Sequence, residues 1–534
     1  MPPPPQALGS NRQGQDHEPV QPSDRWLLVA LLVAGLLCAV PLWSARTLPL
    51  MDLPQHLATV RILRDLHTPG WNLDAYYQLD LARTQYVGWY AAAVALSQLV
   101  SIETAARLLL TLYVVAVPFA VAAFLRAHRR DAVLAVLAAP LALNQSLWMG
   151  FVNYVSAIPL VLVWLAAVQR QLDEPRRRGW VALCVLPIAV WYLHAQALLH
   201  GAGLVVATVA MHEHGLRSRR GRQVLATMAP VLLLFGAWAA VSVVLASGGA
   251  WQASRAGHNV TDPLPRWMEL GEVLREFPYQ FGCLYRDRAD SHLNAVLAVV
   301  GLGLALFSWR QRGLTQERKR VSWTPEVLAG LSLLLYFVLP TRYRWIYSLN
   351  TRTLSLTALL LLGTFARWPL PRRWTLAAGL GLASVACVLH SQRFAEFSHK
   401  AENARRLIAE IPAGQRGIGL IYRATSGLTS LEPYLHFAQY AVLEHGGMAD
   451  FSFANFPQSP VTFRPPGPPV LPPRFEKSPD KFSLATQGAY YDWFLVRLAG
   501  DDLPPALQSQ LGKRVQMVRR RADWVLLQKI QPAP

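Results

Sequence analysis

Residues 26–57 read WLLVALLVAGLLCAVPLW (Trp26–Trp43) and then SARTLPLMDLPQHL (Ser44–Leu57). The first segment is 18 residues without a charge, close to the ~20 that a helix needs to cross a bilayer. In the second, Leu48-Pro49-Leu50-Met51-Asp52-Leu53-Pro54-Gln55-His56-Leu57, a carboxylate stands where that helix leaves the membrane. An ionisable side chain at such a boundary is costly to bury, so Asp52 is a functional candidate by default. Its placement suits a catalytic base that meets its substrate at the membrane surface.

The rest of the chain agrees with a membrane setting. Of its 534 residues 53% are hydrophobic and only 16% charged, with a mean hydropathy of +0.23. The apolar runs are continuous rather than alternating, which excludes a β-barrel. A net charge of +19 could point to nucleic acid, but its placement argues otherwise. The basic clusters Arg126–Arg130, Arg176–Arg178, Arg217–Arg222, Arg310–Arg320 and Arg367–Arg373 all lie in short loops between apolar runs. That is the positive-inside pattern of membrane topology, so no nucleic-acid partner is expected. Cys38, Cys184 and Cys387 fall inside apolar runs and Cys283 stands alone. This gives neither a disulfide framework nor zinc spacing.

Candidate spans in the first half are Trp26–Trp43, Tyr86–Leu99, Ala105–Phe124, Asp131–Leu147, Phe151–Val168 and Val181–His194. Those in the second are Leu198–Met211, Val224–Ala246, Leu293–Trp309, Glu326–Leu339, Leu354–Phe365 and Trp374–Leu389. Basic clusters placed on the cytoplasmic side leave Asn144–Asn153, Ser247–His292 and everything after His390 outside. With a cytoplasmic N-terminus the alternation closes only if Tyr86–Leu99 is re-entrant or interfacial. The fold class expected is an all-α polytopic bundle of about 11–12 transmembrane helices, followed by a small soluble α/β domain.

The domains then run as a disordered cytoplasmic tail (1–22), a membrane domain (23–390) with outer loops 44–85 and 247–292, and an extracytoplasmic domain (391–534). Leu53–Leu66 has the pattern of an amphipathic helix lying on the membrane face, with Asp52 as its N-cap. In the last domain Arg393–Ile411 is a helix by pattern, and GIGLIY (Gly417–Tyr422), YDWFLV (Tyr491–Val496) and WVLLQKI (Trp524–Ile530) are strands. The proline-rich Phe456–Pro473 is an irregular loop.

Several polar groups gather on the outer side of this topology. Asp52 and His56 are one helical turn apart. Asn153 comes from the tract Trp148-Met-Gly-Phe-Val-Asn153-Tyr, and His194 and His200 from WYLHAQALLHG. Arg342, Arg344 and Arg352 in TRYRWIYSLNTR break the positive-inside trend, and a guanidinium fork matches a phosphate. Anchoring to anionic headgroups is the plainer account of the same arginines. His194 and His200, six apart with no companion motif, are not read as metal ligands. In the long outer loop, aromatics and carboxylates such as Trp267, Glu272 and Tyr279 fit an amphipathic surface helix better than a sugar-stacking lid.

Asp52 with Pro54 and His56, the 148–154 tract and the 342–352 loop together resemble the GT-C-type polytopic membrane glycosyltransferases. The likeness is to uncharacterised bacterial members, with one acidic residue in place of the Asp-Glu pair of the protein mannosyltransferases. It implies inverting transfer of a hexosyl or pentosyl group from a polyprenyl-phosphate sugar donor in the lipid bilayer. The acceptor would be an extracytoplasmic hydroxyl of a glycan, lipid or protein. Asp52 would be the general base, with His56, Asn153, His194, Arg342, Arg344 and Arg352 binding substrate. No cofactor is implied, and a divalent metal is left open. The membrane would be the bacterial inner membrane. The alternative is a transporter or flippase of a lipid-linked envelope precursor, or a non-catalytic envelope scaffold.

Overall fold

The computed structural model describes residues 22–81, 84–213, 215–247, 264–311, 322–343, 346–367, 369–456, 458–472 and 474–530. The expected tail 1–22 therefore lies almost wholly outside the described residues. The structure is 61% helical, with a small sheet near the C-terminus.

Among the described residues, five helices are long and apolar enough to cross a membrane: Arg25–Leu42, Ile102–Ala127, Val152–Asp173, Ala289–Arg310 and Arg372–Ile408. A bent pair, Arg219–Ala226 and Ala229–Val241, would add a sixth, and four shorter apolar segments include Ala195–Met211 and Thr324–Val338. The helix Ile102–Ala127 begins at Ser101, whose side chain accepts from the Thr104 N–H. Its 26 residues extend about 39 Å, more than the ~30 Å hydrocarbon core.

Two further segments depart from simple spans. Tyr86–Leu99 holds only the nine-residue helix Gly88–Leu96, about 14 Å long and under half of the core thickness. Asp131–Leu147, read as one span, is broken into a 3-10 segment Ala132–Leu137 and short helices Ala138–Leu141 and Gln145–Trp148. Pro140 removes a backbone donor from its middle, and Asn144 caps a new helix by accepting from the Leu147 N–H. This irregular backbone is buried inside the bundle, where freed polar groups find protein partners rather than lipid.

The basic loops meet at one end of the bundle. Arg130 pairs with Glu326 at 2.7 Å and Arg367 reaches the same carboxylate at 3.6 Å. His212 and Arg129 both approach Asp173, and the Asp131 N–H donates to Ala366. The long helix Arg372–Ile408 starts at this end and runs without a break through residue 390, so a helix rather than a linker joins bundle and sheet.

The strands in chain order are β1 Tyr77–Leu79, β2 Arg342–Tyr343, β3 Ile346–Tyr347, β4 Arg416–Ile421, β5 Met448–Asp450, β6 Val461–Phe463, β7 Trp493–Arg497, β8 Val515–Arg521 and β9 Trp524–Lys529. Five form a mixed sheet ordered β5-β4-β7-β9-β8, with β4 parallel to β5 and β7, and β9 antiparallel to β7 and β8. β7 is buried along its whole length, as a continuous apolar run in a covered sheet requires. A Cβ at Gly417 would fall about 2 Å from the Trp493 indole, which crosses over that position. β1 pairs antiparallel with β6, tying the first loop to the C-terminal segment.

The helix Leu53–Asp65 is not laid on a membrane face. Most of it is buried, and it packs against the helix Gln439–His445. Its polar side chains have partners there: Arg61 Nε donates to the Leu443 carbonyl at 2.8 Å, and Gln55 Nε2 to that of Phe451 at 2.7 Å. The apolar periodicity holds, but the polar face is a second interface, against the C-terminal segment.

Candidate active site

A cavity of about 310 Å³ lies where the first loop, the 149–154 tract, His194, the 346–352 segment and the C-terminal segment meet. Asp52, His56, Asn153, His194 and Arg352 all line it. Arg342 does not line it; its guanidinium sits 5.8 Å from the Tyr347 ring, one residue layer back. Arg344 lies outside the described residues.

Asp52 occupies the position before the helix Leu53–Asp65, but its carboxylate makes no capping bond. The side chain faces the cavity instead, with Oδ1 3.3 Å from His436 Nε2. The 148–150 turn fixes its backbone: the N–H groups of Met51 and Asp52 donate to the carbonyls of Trp148 and Met149 at 3.0 and 3.1 Å.

His56 lies behind Asp52, with Nδ1 2.7 Å from the Tyr90 hydroxyl and its ring among Trp89, Tyr90 and Phe453. Burial pushes its imidazole down to about 4, with the Asp52 charge pulling the other way. At neutral pH it offers hydrogen bonds but no positive charge. The Tyr90 hydroxyl also meets the side chains of Thr59 and Asn153.

Arg352 opens the helix Arg352–Phe365. Its Nη2 donates to the Tyr347 carbonyl at 3.1 Å, Nη1 lies 3.2 Å from His194 Nε2, and the guanidinium stacks 4.1 Å from the Phe151 ring. A guanidinium only donates, so His194 Nε2 accepts and the imidazole hydrogen resides on Nδ1. Arg352 Nε, His194 Nδ1 and Asn153 Oδ1 are buried and have no partner among the described residues. Asp52 and Arg352 interact electrostatically across the cavity. The site thus has a carboxylate on one side and a fixed cation with unused donors on the other.

The cavity wall was only partly expected. His436, Phe451 and Phe453 come from the C-terminal segment, and Lys477, paired with Glu432 at 2.7 Å, from the 3-10 turn Phe475–Lys477 that follows the proline-rich loop. His200 and Trp148 are buried but do not line it; Trp148 packs on Tyr285 and Phe394. The helix Leu270–Gly282 contributes nothing to the lining. It packs on Tyr336, whose hydroxyl meets the Val273 carbonyl at 3.3 Å, so it is a structural surface helix.

Bundle, first-loop carboxylate and terminal sheet together define a polytopic membrane protein with the fold of the GT-C-type glycosyltransferases. Structurally the chain is similar to ArnT from Cupriavidus metallidurans. The crystal structure of ArnT bound to undecaprenyl phosphate matches with a TM-score of 0.53 at 14% identity, over 94% of this chain and 98% of that one. The apo form matches with a TM-score of 0.54 at 13% identity, over 95% and 98%. The mycobacterial arabinofuranosyltransferase AftD gives 0.48 at 17% identity, over 95% of this chain and 40% of its own. The fold assignment rests on ArnT. The sequence matches no family model and no curated protein.

Proposed function

We propose that this chain transfers a sugar from a polyprenyl-phosphate donor to an extracytoplasmic acceptor hydroxyl, with inversion and with Asp52 as general base. The observation that carries this reading is the convergence of Asp52 and Arg352, from distant parts of the sequence, on one cavity. Asp52 takes the hydroxyl proton as the acceptor oxygen attacks the anomeric carbon. The bond from that carbon to the phosphate oxygen breaks, and its electron pair leaves with the polyprenyl phosphate. Attack opposite the leaving group inverts the centre. Arg352, held by Tyr347, His194 and Phe151, stabilises the charge growing on the phosphate without reorganising. His194 and Asn153 present further polar atoms to the substrate, and neutral His56 supports the Asp52 side of the cavity.

The donor class is supported by the undecaprenyl phosphate bound to ArnT. The location is the bacterial inner membrane, with the sheet and cavity outside, because the basic loops collect at the opposite end. Purified wild type and Asp52→Asn are to be compared for transfer from radiolabelled polyprenyl-phosphate sugars. Loss of transfer in a folded Asp52→Asn that still binds undecaprenyl phosphate is the expected result. Equal transfer by both removes Asp52 from the chemistry.

A further inference from the structure

Part of the wall beside Asp52 is built by the C-terminal segment. His436 supplies it, with Nε2 3.3 Å from Asp52 Oδ1. The location of the ring's hydrogen follows from its other nitrogen. Gln55 Oε1 accepts from the Phe453 N–H at 3.0 Å, and Gln55 Nε2 donates to the Phe451 carbonyl at 2.7 Å. A backbone N–H only donates and a carbonyl only accepts, so the amide has one orientation. The same Nε2 reaches His436 Nδ1 at 3.2 Å. His436 Nδ1 is therefore the acceptor, and the hydrogen of the neutral ring is on Nε2, the nitrogen beside the carboxylate.

The supports of this ring are themselves fixed. Gln439 Nε2 donates to the carbonyls of Ala449 and Phe451 at 2.7 and 2.8 Å. The imidazole stacks on Phe451 and meets Phe453 edge-on, with centroids 5.9 Å away in each case. A chain of polar contacts thus runs from the 449–453 backbone through Gln55 and His436 to Asp52. It crosses from the C-terminal segment to the first loop, and it ends on the Asp52 carboxylate at the cavity wall.

We propose that His436 is a positioning residue for Asp52. Its Nε2–H fixes one carboxylate oxygen, leaving the other for the acceptor's hydroxyl proton, which goes to Asp52 and not to the imidazole. The C-terminal segment then completes the active site rather than only covering it. This deepens the glycosyl-transfer reading and rests on it.

The test is steady-state sugar transfer by the full-length chain with His436→Phe and His436→Gln beside wild type and Asp52→Asn. Phe keeps the ring volume without a donor; the Gln amide nitrogen reaches the place of the imidazole Nε2. The Phe variant should lose about ten- to hundredfold in kcat while donor KM stays within about threefold, and Gln should recover most of the loss. A folded Phe variant with unchanged kcat overturns the proposal. So does an equal loss in Phe and Gln accompanied by a raised KM, the mark of a packing role. If Phe does not fold, His436→Asn, whose amide stops short of Asp52, replaces it as the donor-less variant. Asp52→Asn separates the two ideas: if it is as active as wild type the glycosyl-transfer mechanism falls, whereas an inert Asp52→Asn beside a fully active His436→Phe removes only the role of His436.

Discussion

The Asp52 N–H donates to the Met149 carbonyl at 3.1 Å, so the candidate base hangs from the backbone of a turn almost a hundred residues downstream. The next residue in that turn, Gly150, has φ +80°, and a Cβ there would lie 2.6 Å from the Asp52 nitrogen. Two backbones approach closely here, and only glycine permits both the approach and the left-handed turn.

Gly150→Ala should therefore cost about 1–3 kcal/mol of stability and lower sugar transfer further, by moving the Asp52 backbone. Gly203→Ala is the control. That glycine sits in the helix Ala195–Met211 with open space where its Cβ would be, and Ala is favoured over Gly in a helix by about 1 kcal/mol. Thermal unfolding in detergent, with transfer measured on the same preparations, checks both. Equal behaviour of the two variants would show that the 148–150 turn does not hold Asp52.

His56 predicts an acid-side loss of stability. Its folded value near 4 lies below the ordinary 6.5, chiefly through burial. Between those limits the unfolded chain binds more protons, so the contribution is complete above pH 6.5 and is lost as pH falls toward 4. At pH 5 the loss is about 2 kcal/mol. His56→Gln should flatten this part of the stability profile, whatever its effect at pH 7. An unchanged slope between pH 7 and 5 would mean that His56 takes up its proton alike in the folded and the unfolded chain, and that burial does not hold it neutral.

How much of this was legible in the sequence follows from what periodicity can see. Hydropathy found the membrane body, and continuous apolar runs found β4, β7 and β9. β8 was missed because VQMVRRR is an exposed edge strand that ends in three arginines, and charge is a common protection of edge strands. Asp131–Leu147 read as one span because average hydropathy does not weigh a proline in mid-segment. Asp52 was legible from its position beside a span. His436 was not, since LEPYLHFAQY carries no motif and its meaning comes from Gln55, far away in sequence. The arginines were ambiguous for a similar reason. Spacing ranks Arg342 and Arg352 equally, and only the fold shows that Arg352 begins a helix at the cavity while Arg342 is set behind it.

That difference is itself testable. Arg352→Lys keeps the charge but loses the fork that bonds Tyr347 and reaches His194 together. Its kcat should fall by about 10²–10³, whereas Arg342→Lys should stay within about threefold of wild type. Transfer kinetics on both variants decide it. If Arg342→Lys is the more damaged, the phosphate is held on the far side of Tyr347 and the cavity described is not the donor site.

The ends of the bundle make the last prediction. Arg130, Arg129, His212 and Arg367 converge on Glu326 and Asp173, while Asp52, Arg352 and His436 line the cavity formed with the C-terminal segment. Loops rich in arginine stay on the cytoplasmic side of a bacterial membrane, so the cavity should open to the outside. The four native cysteines carry no disulfide and can be replaced by alanine or serine to give a background for labelling. In intact cells, Lys477→Cys, exposed at the cavity, should react with a membrane-impermeant maleimide. Arg178→Cys and Arg219→Cys, exposed in the basic loops, should react only after permeabilisation. The opposite pattern would put Asp52 in the cytoplasm and require a donor presented from the inner leaflet, which the proposed extracytoplasmic transfer does not allow.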